Sequence, residues 1–298
     1  METERGMVVV TGATRGLGLE TALTLGERGF RVFAGYRSDA DAEAIAKAAE
    51  ERRIDVRPMR LDVTNAESTK AAIDAVAAQG GLYGVVNNAA VTLRGYFEDL
   101  SEAEIRRTLD VNLFGVMNVT RAALPHLRAH GRGRIVMMSS VGGRIGTMGL
   151  TAYVASKFGL EGFSESLSLE LAPLGVDVVI IEPGIVKTAM WGAGRNVATA
   201  AQDAGGPYYK WFRRAEEQAD ALVRTSKLTT RDVAEVVARA MTTPRPRLRY
   251  TVGRRASFVM SLRRHLPGEL FERVYFGELV RRVTGQRAAW IRSSPSRD

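Results

Sequence analysis

The sequence predicts an α/β fold: a doubly wound parallel sheet with helices on both faces, a lid, and a C-terminal helical extension. Three observations predict it. Short apolar runs rich in Val and Ile alternate with helical stretches from Met7 to Glu182, which is the pattern of a parallel sheet covered on both sides. A glycine-rich turn joins the first strand to the first helix. Beyond Gly184 the alternation stops and gives way to glycines and aromatics, then to an arginine-rich tail.

The elements follow in order. Met7–Thr11 (MVVVT) is a buried strand, and Gly12–Gly18 turns into a helix ending near Gly29. Arg31–Gly35 is a second strand, followed by an alanine-rich helix from Asp39 to about Arg53. Val56–Leu61 is a third strand, broken at its middle by Pro58, which has no amide donor. A helix over Glu67–Gln79 leads to the strand Leu82–Asn87. Ser101 and Glu104 have the spacing of a capping box at the head of a long helix to about Ala129. Arg134–Ser139, a helix over Tyr153–Ala172 and Val176–Glu182 complete the alternation. Residues 185–228 read as an irregular lid carrying Met190, Trp191, Tyr208, Tyr209, Trp211 and Phe212. Thr230–Met241 is a further helix and Arg249–Val252 a last edge strand.

Composition narrows the class. With 45% hydrophobic and 25% charged residues in 298, the chain can build a full core. No apolar run reaches the roughly 20 residues of a membrane-spanning helix. The polar start Met1–Arg5 lacks a secretory apolar segment, and the absence of cysteine excludes disulfides and thiolate metal sites. Cytoplasmic localisation is the expectation. Three scattered histidines, His126, His130 and His265, suggest no metal site. Residues 241–298 hold 13 arginines and four acids, which accounts for the whole net charge of +9.

Gly12-Ala13-Thr14-Arg15-Gly16-Leu17-Gly18 follows a strand and opens a helix, so its backbone can approach a pyrophosphate at the helix N-terminus. That context makes the sheet Rossmann-type, with ligand expected at the carboxyl ends of the strands. Tyr153 and Lys157 lie one helical turn apart on one face. A tyrosine hydroxyl titrates near 10, and an adjacent ammonium favours the phenolate, so Lys157 is expected to lower it. Such a tyrosine can act as general acid or base, and a serine such as Ser140 can hold a substrate oxygen. Taken alone, the first reads equally as a surface Tyr/Lys helix pair and the second as a strand-end serine.

TGATRGLG, Asn87-Asn88-Ala89-Ala90, Asn112, Ser140, Tyr153-Val154-Ala155-Ser156-Lys157 and Pro183-Gly184 with Thr188 stand in one order. Together they resemble the short-chain dehydrogenase/reductase family over roughly residues 7–190. One departure is Ala90, where the family usually has glycine. The resemblance implies hydride transfer on a carbonyl or alcohol, with Asn112, Ser140, Tyr153 and Lys157 catalytic. In it, Asn112 anchors a water that relays protons to Lys157. It also implies cofactor contacts from Gly12, Thr14, Arg15, Gly16, Leu17, Gly18, Asn88, Ala89, Tyr153 and Lys157. Asp62 and Val63 match the adenine-contacting position, although Asp62 could equally cap the turn that follows. Pro183, Gly184, Val186 and Thr188 resemble the loop that binds the nicotinamide carboxamide, with capping of the next short helix as the other reading of Thr188.

An acid at the end of the second strand would select NAD and repel a 2′-phosphate. Here stands Gly35-Tyr36-Arg37, and Arg37 with Arg15 can clamp a phosphate. NADP(H) is therefore the expected cofactor, with no metal. Met190 and Trp191, with Ser140 and Tyr153, are the expected substrate contacts, and the lid aromatics suggest a bulky, largely apolar substrate. A weaker resemblance to retinol- and hydroxysteroid-dehydrogenase-like members keeps steroid, retinoid, fatty and polyketide-like carbonyls open. A non-catalytic NADP sensor and a C=C reductase or epimerase are the alternatives.

We expect a catalytic domain over residues 1–240 and a basic extension over 241–298 packed on or near the substrate pocket. Ala256–Leu266 and Glu269–Val283 read as helices mixing arginines with apolar residues, which also fits a peripheral membrane contact or a protein partner. Nucleic acid is not expected. A homodimer follows from the family resemblance, and Ser293–Asp298 are expected to fray.

Overall fold

Both sets of alternating side chains on the central strands are apolar, so the sheet must be covered on both faces. The computed structural model describes residues 5–192 and 194–286; the expected fraying of Ser293–Asp298 lies outside them. The strands are β1 (Met7–Val10), β2 (Arg31–Tyr36), β3 (Val56–Arg60), β4 (Leu82–Asn87), β5 (Gly133–Met138), β6 (Val176–Pro183) and β7 (Arg249–Val252). The helices between them are α1 (Gly16–Glu27), α2 (Asp39–Arg52), α3 (Ala66–Ala77), α4 (Glu102–Leu109), α5 (Gly115–His130), α6 (Thr151–Leu171), α7 (Tyr209–Thr225) and α8 (Thr230–Thr242). All seven strands pair in parallel, in the order β3-β2-β1-β4-β5-β6-β7.

Val8 and Val10, Val136 and Met138, and Val179 and Ile181 enter one core with residues of α1, α2 and α8. Their neighbours Met7 and Val9, Ile135 and Met137, and Val178 and Ile180 enter the other with residues of α3, α5 and α6. The period-two alternation thus feeds two helical layers. The strand order reverses between β1 and β4, which opens a crevice beyond their carboxyl ends. The sequence-predicted doubly wound sheet is the one observed.

Three details differ from the sequence expectation. β3 runs unbroken through Pro58, because it is an edge strand with only β2 beside it. The long helix after Ser101 is one rod in which a π turn at Asp110–Phe114 joins α4 to α5. The stretch 185–228 is not irregular throughout, since α7 occupies much of it. Its sequence KWFRRAEEQADALVR is rich in helix formers and buries Phe212 and Glu216, four residues apart on one face. The tail forms α9 (Arg254–His265), α10 (Gly268–Phe271) and α11 (Gly277–Thr284), the last two joined by a π turn. Among the described residues no helix is long and apolar enough to cross a membrane.

Leu127 of α5 is fully buried, and it lies so close to Gly133 of β5 that a Cβ there would stand 2.8 Å from it. Leu127→Ala should leave a cavity that the sheet cannot fill and cost about 3 kcal/mol in urea denaturation. A loss within about 0.5 kcal/mol, the range of surface substitutions, would contradict this packing.

Candidate active site

The crevice begins at a junction between β1 and β4. Thr11 Oγ accepts the backbone N–H groups of Asn88 and Ala89, each at 3.0 Å. Asn88 Nδ2 donates to the carbonyls of Thr11 and Gly12 at 2.9 and 3.0 Å. These bonds fix the glycine turn to the end of β4. Gly12 and Gly16 have φ of +60° and +58°, which favours glycine. Gly18 is required for space: a Cβ there would meet the Gly12 oxygen at 2.2 Å and Asn88 Nδ2 at 2.4 Å. The turn is a backbone cradle at the head of α1, which fits the pyrophosphate of a dinucleotide.

Thr14, Arg15, Leu17, Arg37, Asp62, Val63, Ala89, Ala90 and Val186 line one continuous cavity of about 1800 Å³ with this turn. Arg15 and Arg37 are exposed at its rim. Asp62 Oδ1 accepts the amide and hydroxyl of Thr64, at 3.0 and 2.8 Å. Burial raises the Asp62 carboxyl, but the Thr64 bonds and the charges of Arg37 and Arg107 hold it below its ordinary range. Asp62 therefore shapes its turn while facing the cavity. Thr188 starts a short 3-10 turn without a side-chain cap bond, and its methyl faces Gly16. Pro183 and Gly184 line the cavity beside it.

The same cavity brings Ser140, Tyr153 and Lys157 together from the end of β5 and the first turns of α6. Lys157 is buried, its Nζ donating to the Met138 carbonyl at 2.8 Å and lying 5.8 Å from the centre of the Tyr153 ring. Burial lowers its ammonium to about 8, against the opposing pull of Glu161. Burial pushes the Tyr153 hydroxyl up, and its hydrogen bond with Ser140 pulls it down. In this structure the Lys157 ammonium points to a carbonyl, and burial is the larger influence on the phenol. Asn112 sits fully buried on the π turn. Its Oδ1 accepts from Val91 N at 2.8 Å, and its Nδ2 donates to Val91 O at 2.9 Å and Ser156 Oγ at 3.0 Å.

The lid is held by charges the sequence reading missed. Arg94 and Glu216 form a buried pair, joined by Arg195, which also binds Asp220 and the Trp191 carbonyl. The Arg94 guanidinium lies 4.9 Å from the centre of the Trp191 ring. Removing one member of such a pair costs about 3–5 kcal/mol. Met190 and Trp191 line the cavity as expected. Tyr208 instead stacks on Tyr96, and Phe212 enters a small buried cluster with Leu93 and Leu100, so these aromatics pack rather than enclose. Ala215, Ala219 and Leu222 of α7 and Val259, Tyr275 and Leu279 of the tail supply that part of the wall.

A family model described as short chain dehydrogenase matches residues 6–198. The chain is 31% identical to the uncharacterized oxidoreductase YusZ of Bacillus subtilis, over 90% of this chain and 96% of that protein. It is 33% identical to human retinol dehydrogenase 5, over 92% and 89% of the two chains. Its structure is similar to that of an actinorhodin polyketide ketoreductase variant with NADPH. That match has a TM-score of 0.74 at 30% identity, covering 85% of this chain and 98% of the other.

Gly18→Ala should weaken binding of a reduced nicotinamide dinucleotide by about tenfold or more in a fluorescence titration, because the added methyl displaces the Gly12 carbonyl and the Asn88 amide. Unchanged affinity in the folded variant would mean that the turn does not cradle the dinucleotide.

Proposed function

The chain belongs to the short-chain dehydrogenase family, and on that premise we propose that it is an NADP(H)-dependent oxidoreductase interconverting a carbonyl and an alcohol on a bulky, largely apolar substrate. The observation that carries this reading is the convergence of Ser140, Tyr153 and Lys157 on the cavity that also holds the glycine turn. When bound, the nicotinamide supplies or accepts the hydride. The cradle of Gly12, Gly16 and Gly18 positions the pyrophosphate, with Asn88 bracing it. Arg15 and Arg37 favour a 2′-phosphate, because β2 ends without an acid.

Ser140 holds the substrate oxygen. Tyr153, kept neutral by burial, donates its phenolic proton to that oxygen in reduction and takes it back in oxidation. Lys157 re-supplies the proton, and an ammonium near 8 is suited to that exchange at neutral pH. Asn112 has its side chain committed to Val91 and Ser156, so in this reading its main chain anchors the relay water.

Ile145, Met148, Leu150, Trp191, Leu222 and Val259 favour an extended apolar substrate, of steroid, retinoid, fatty or polyketide-like type. Relatives named for retinol and polyketide chemistry support the same class. The reading places the enzyme in the cytoplasm as a homodimer, supported by exposed Phe158 and Leu169 on one face of α6, with open space at Gly162 between them. Exposed Phe258, Leu270 and Val274 among the tail arginines favour a peripheral contact with anionic membrane. Salt-sensitive cosedimentation with anionic liposomes supports that contact, and no binding at low salt refutes it.

A panel of bulky ketones with NADPH should give turnover, with kcat/KM falling as pH rises through about 8, where Lys157 loses its proton. Tyr153→Phe should lower kcat by about 100-fold or more while NADPH affinity stays within about threefold. Near-normal turnover by the Phe variant would overturn the assignment. Arg37→Asp should shift the kcat/KM ratio toward NADH, and a wild type that already prefers NADH would overturn the cofactor reading.

A further inference from the structure

Four segments that carry the active site meet beneath it in one buried cluster of charges. Glu161 lies one turn beyond Lys157 on α6, and Glu182 stands at the end of β6 beside Pro183; both are almost fully buried. Arg249 of β7 bridges them, its Nε 3.0 Å from Glu161 Oε2 and 3.4 Å from Glu182 Oε1. Its other nitrogen reaches Glu165 at the rim, at 2.6 Å. Arg144, four residues after Ser140, binds Glu182 at 3.0 Å, and Thr251 Oγ donates to the same carboxylate at 2.6 Å. Ser139, just beyond β5 and the neighbour of Ser140, faces Glu161.

The two buried carboxylates, Glu161 and Glu182, are met by Arg249 and Arg144, while Glu165 is exposed. A buried ammonium whose Nζ donates to a neutral carbonyl is stabilised by a negative charge nearby. Glu161, four residues on along the same face of α6, is the buried carboxylate on its own helix. We propose that Glu161 is the positioning counter-charge of Lys157: its carboxylate, fixed by Arg249, keeps the buried ammonium charged and aimed at the Met138 carbonyl. The proposal rests on the reading of Lys157 as the proton-exchanging group. It assigns Glu161 no contact with substrate or cofactor.

The electrostatics agree in sign. Burial lowers Lys157, and Glu161 is the group that raises it against that burial. Glu161 is itself raised by burial and by Glu182, and Arg249 opposes both. The charged groups around the pair are therefore Glu165 on α6, Glu182 on β6, Arg249 on β7 and Arg144 after β5. Through Glu182 and Arg144 the cluster also ties the Pro183–Gly184 loop to the Ser140 segment.

The test is NMR titration of the full chain labelled with 13Cε-lysine, with Lys157 assigned by the signal lost in Lys157→Met. Glu161→Gln keeps the size of the side chain and removes its charge. It should move the Lys157 midpoint down from about 8 by about one pH unit. The basic limb of ketone reduction should move the same way. Glu161→Asp, which keeps the charge, should show a smaller shift, and Glu161→Met, which also removes the charge, carries the test if the Gln variant does not fold. Thr251→Val, which removes a hydrogen bond to Glu182 without changing charge, should leave the midpoint in place. An unchanged midpoint in folded Glu161→Gln, or in folded Glu161→Met if the Gln variant does not fold, overturns the proposal even if the wild type turns over ketones. A shifted midpoint in a protein that reduces no ketone upholds it and refutes the activity instead.

Discussion

Thr11 and Asn88 join the ends of β1 and β4 at the one place where the strand order reverses, and much of the site depends on that junction. The Thr11 hydroxyl and the Asn88 amide fix the glycine turn by four hydrogen bonds between them. The turn in turn sets where α1 begins and where a pyrophosphate can lie. Both strands are held from each face by apolar side chains of alternating direction. A rigid sheet thus carries a short stretch of backbone whose amides and glycines are available to a ligand.

The second half of the site is set by desolvation. Lys157 and Tyr153 face the same cavity, and burial moves their proton affinities in opposite directions, the ammonium down and the phenol up. The two ordinary values lie close together, so burial drives them apart: the phenol holds its proton and the ammonium gives one up more readily. The surrounding charge opposes part of this shift, since Glu161 raises the Lys157 ammonium against burial. Glu161, Glu182, Arg249 and Arg144 form that surround and connect it to the sheet.

Local spacing explains what was legible in the sequence. The strand alternation, the glycine turn and the Tyr153–Lys157 pair each lie within a few residues of chain, and the structure places all of them where the spacing put them. Arg249, by contrast, meets Glu161 across 88 residues and Arg94 meets Glu216 across 122, separations that no periodicity reports. A signal did exist for Glu161, four residues after Lys157 on the same helical face. For Glu182 it was a lone acid closing the apolar run of β6. Helix α7 was hidden because the glycines and aromatics before it read as loop, while its buried face shows only Phe212 and Glu216. The tail's part in the cavity wall follows from packing of α9 and α11 against distant segments, which its own arginine pattern does not encode.

The proposed reaction moves a hydride from NADPH to a carbonyl carbon while Tyr153 protonates the oxygen. The most direct test is a single turnover with NADPH carrying deuterium at both C4 positions of the nicotinamide and a bulky ketone, followed by mass spectrometry of the alcohol. The account predicts one deuterium on the carbinol carbon with the wild type and no labelled alcohol with Tyr153→Phe on the same timescale. Alcohol formed without deuterium, or equal labelling by the two proteins, would contradict it.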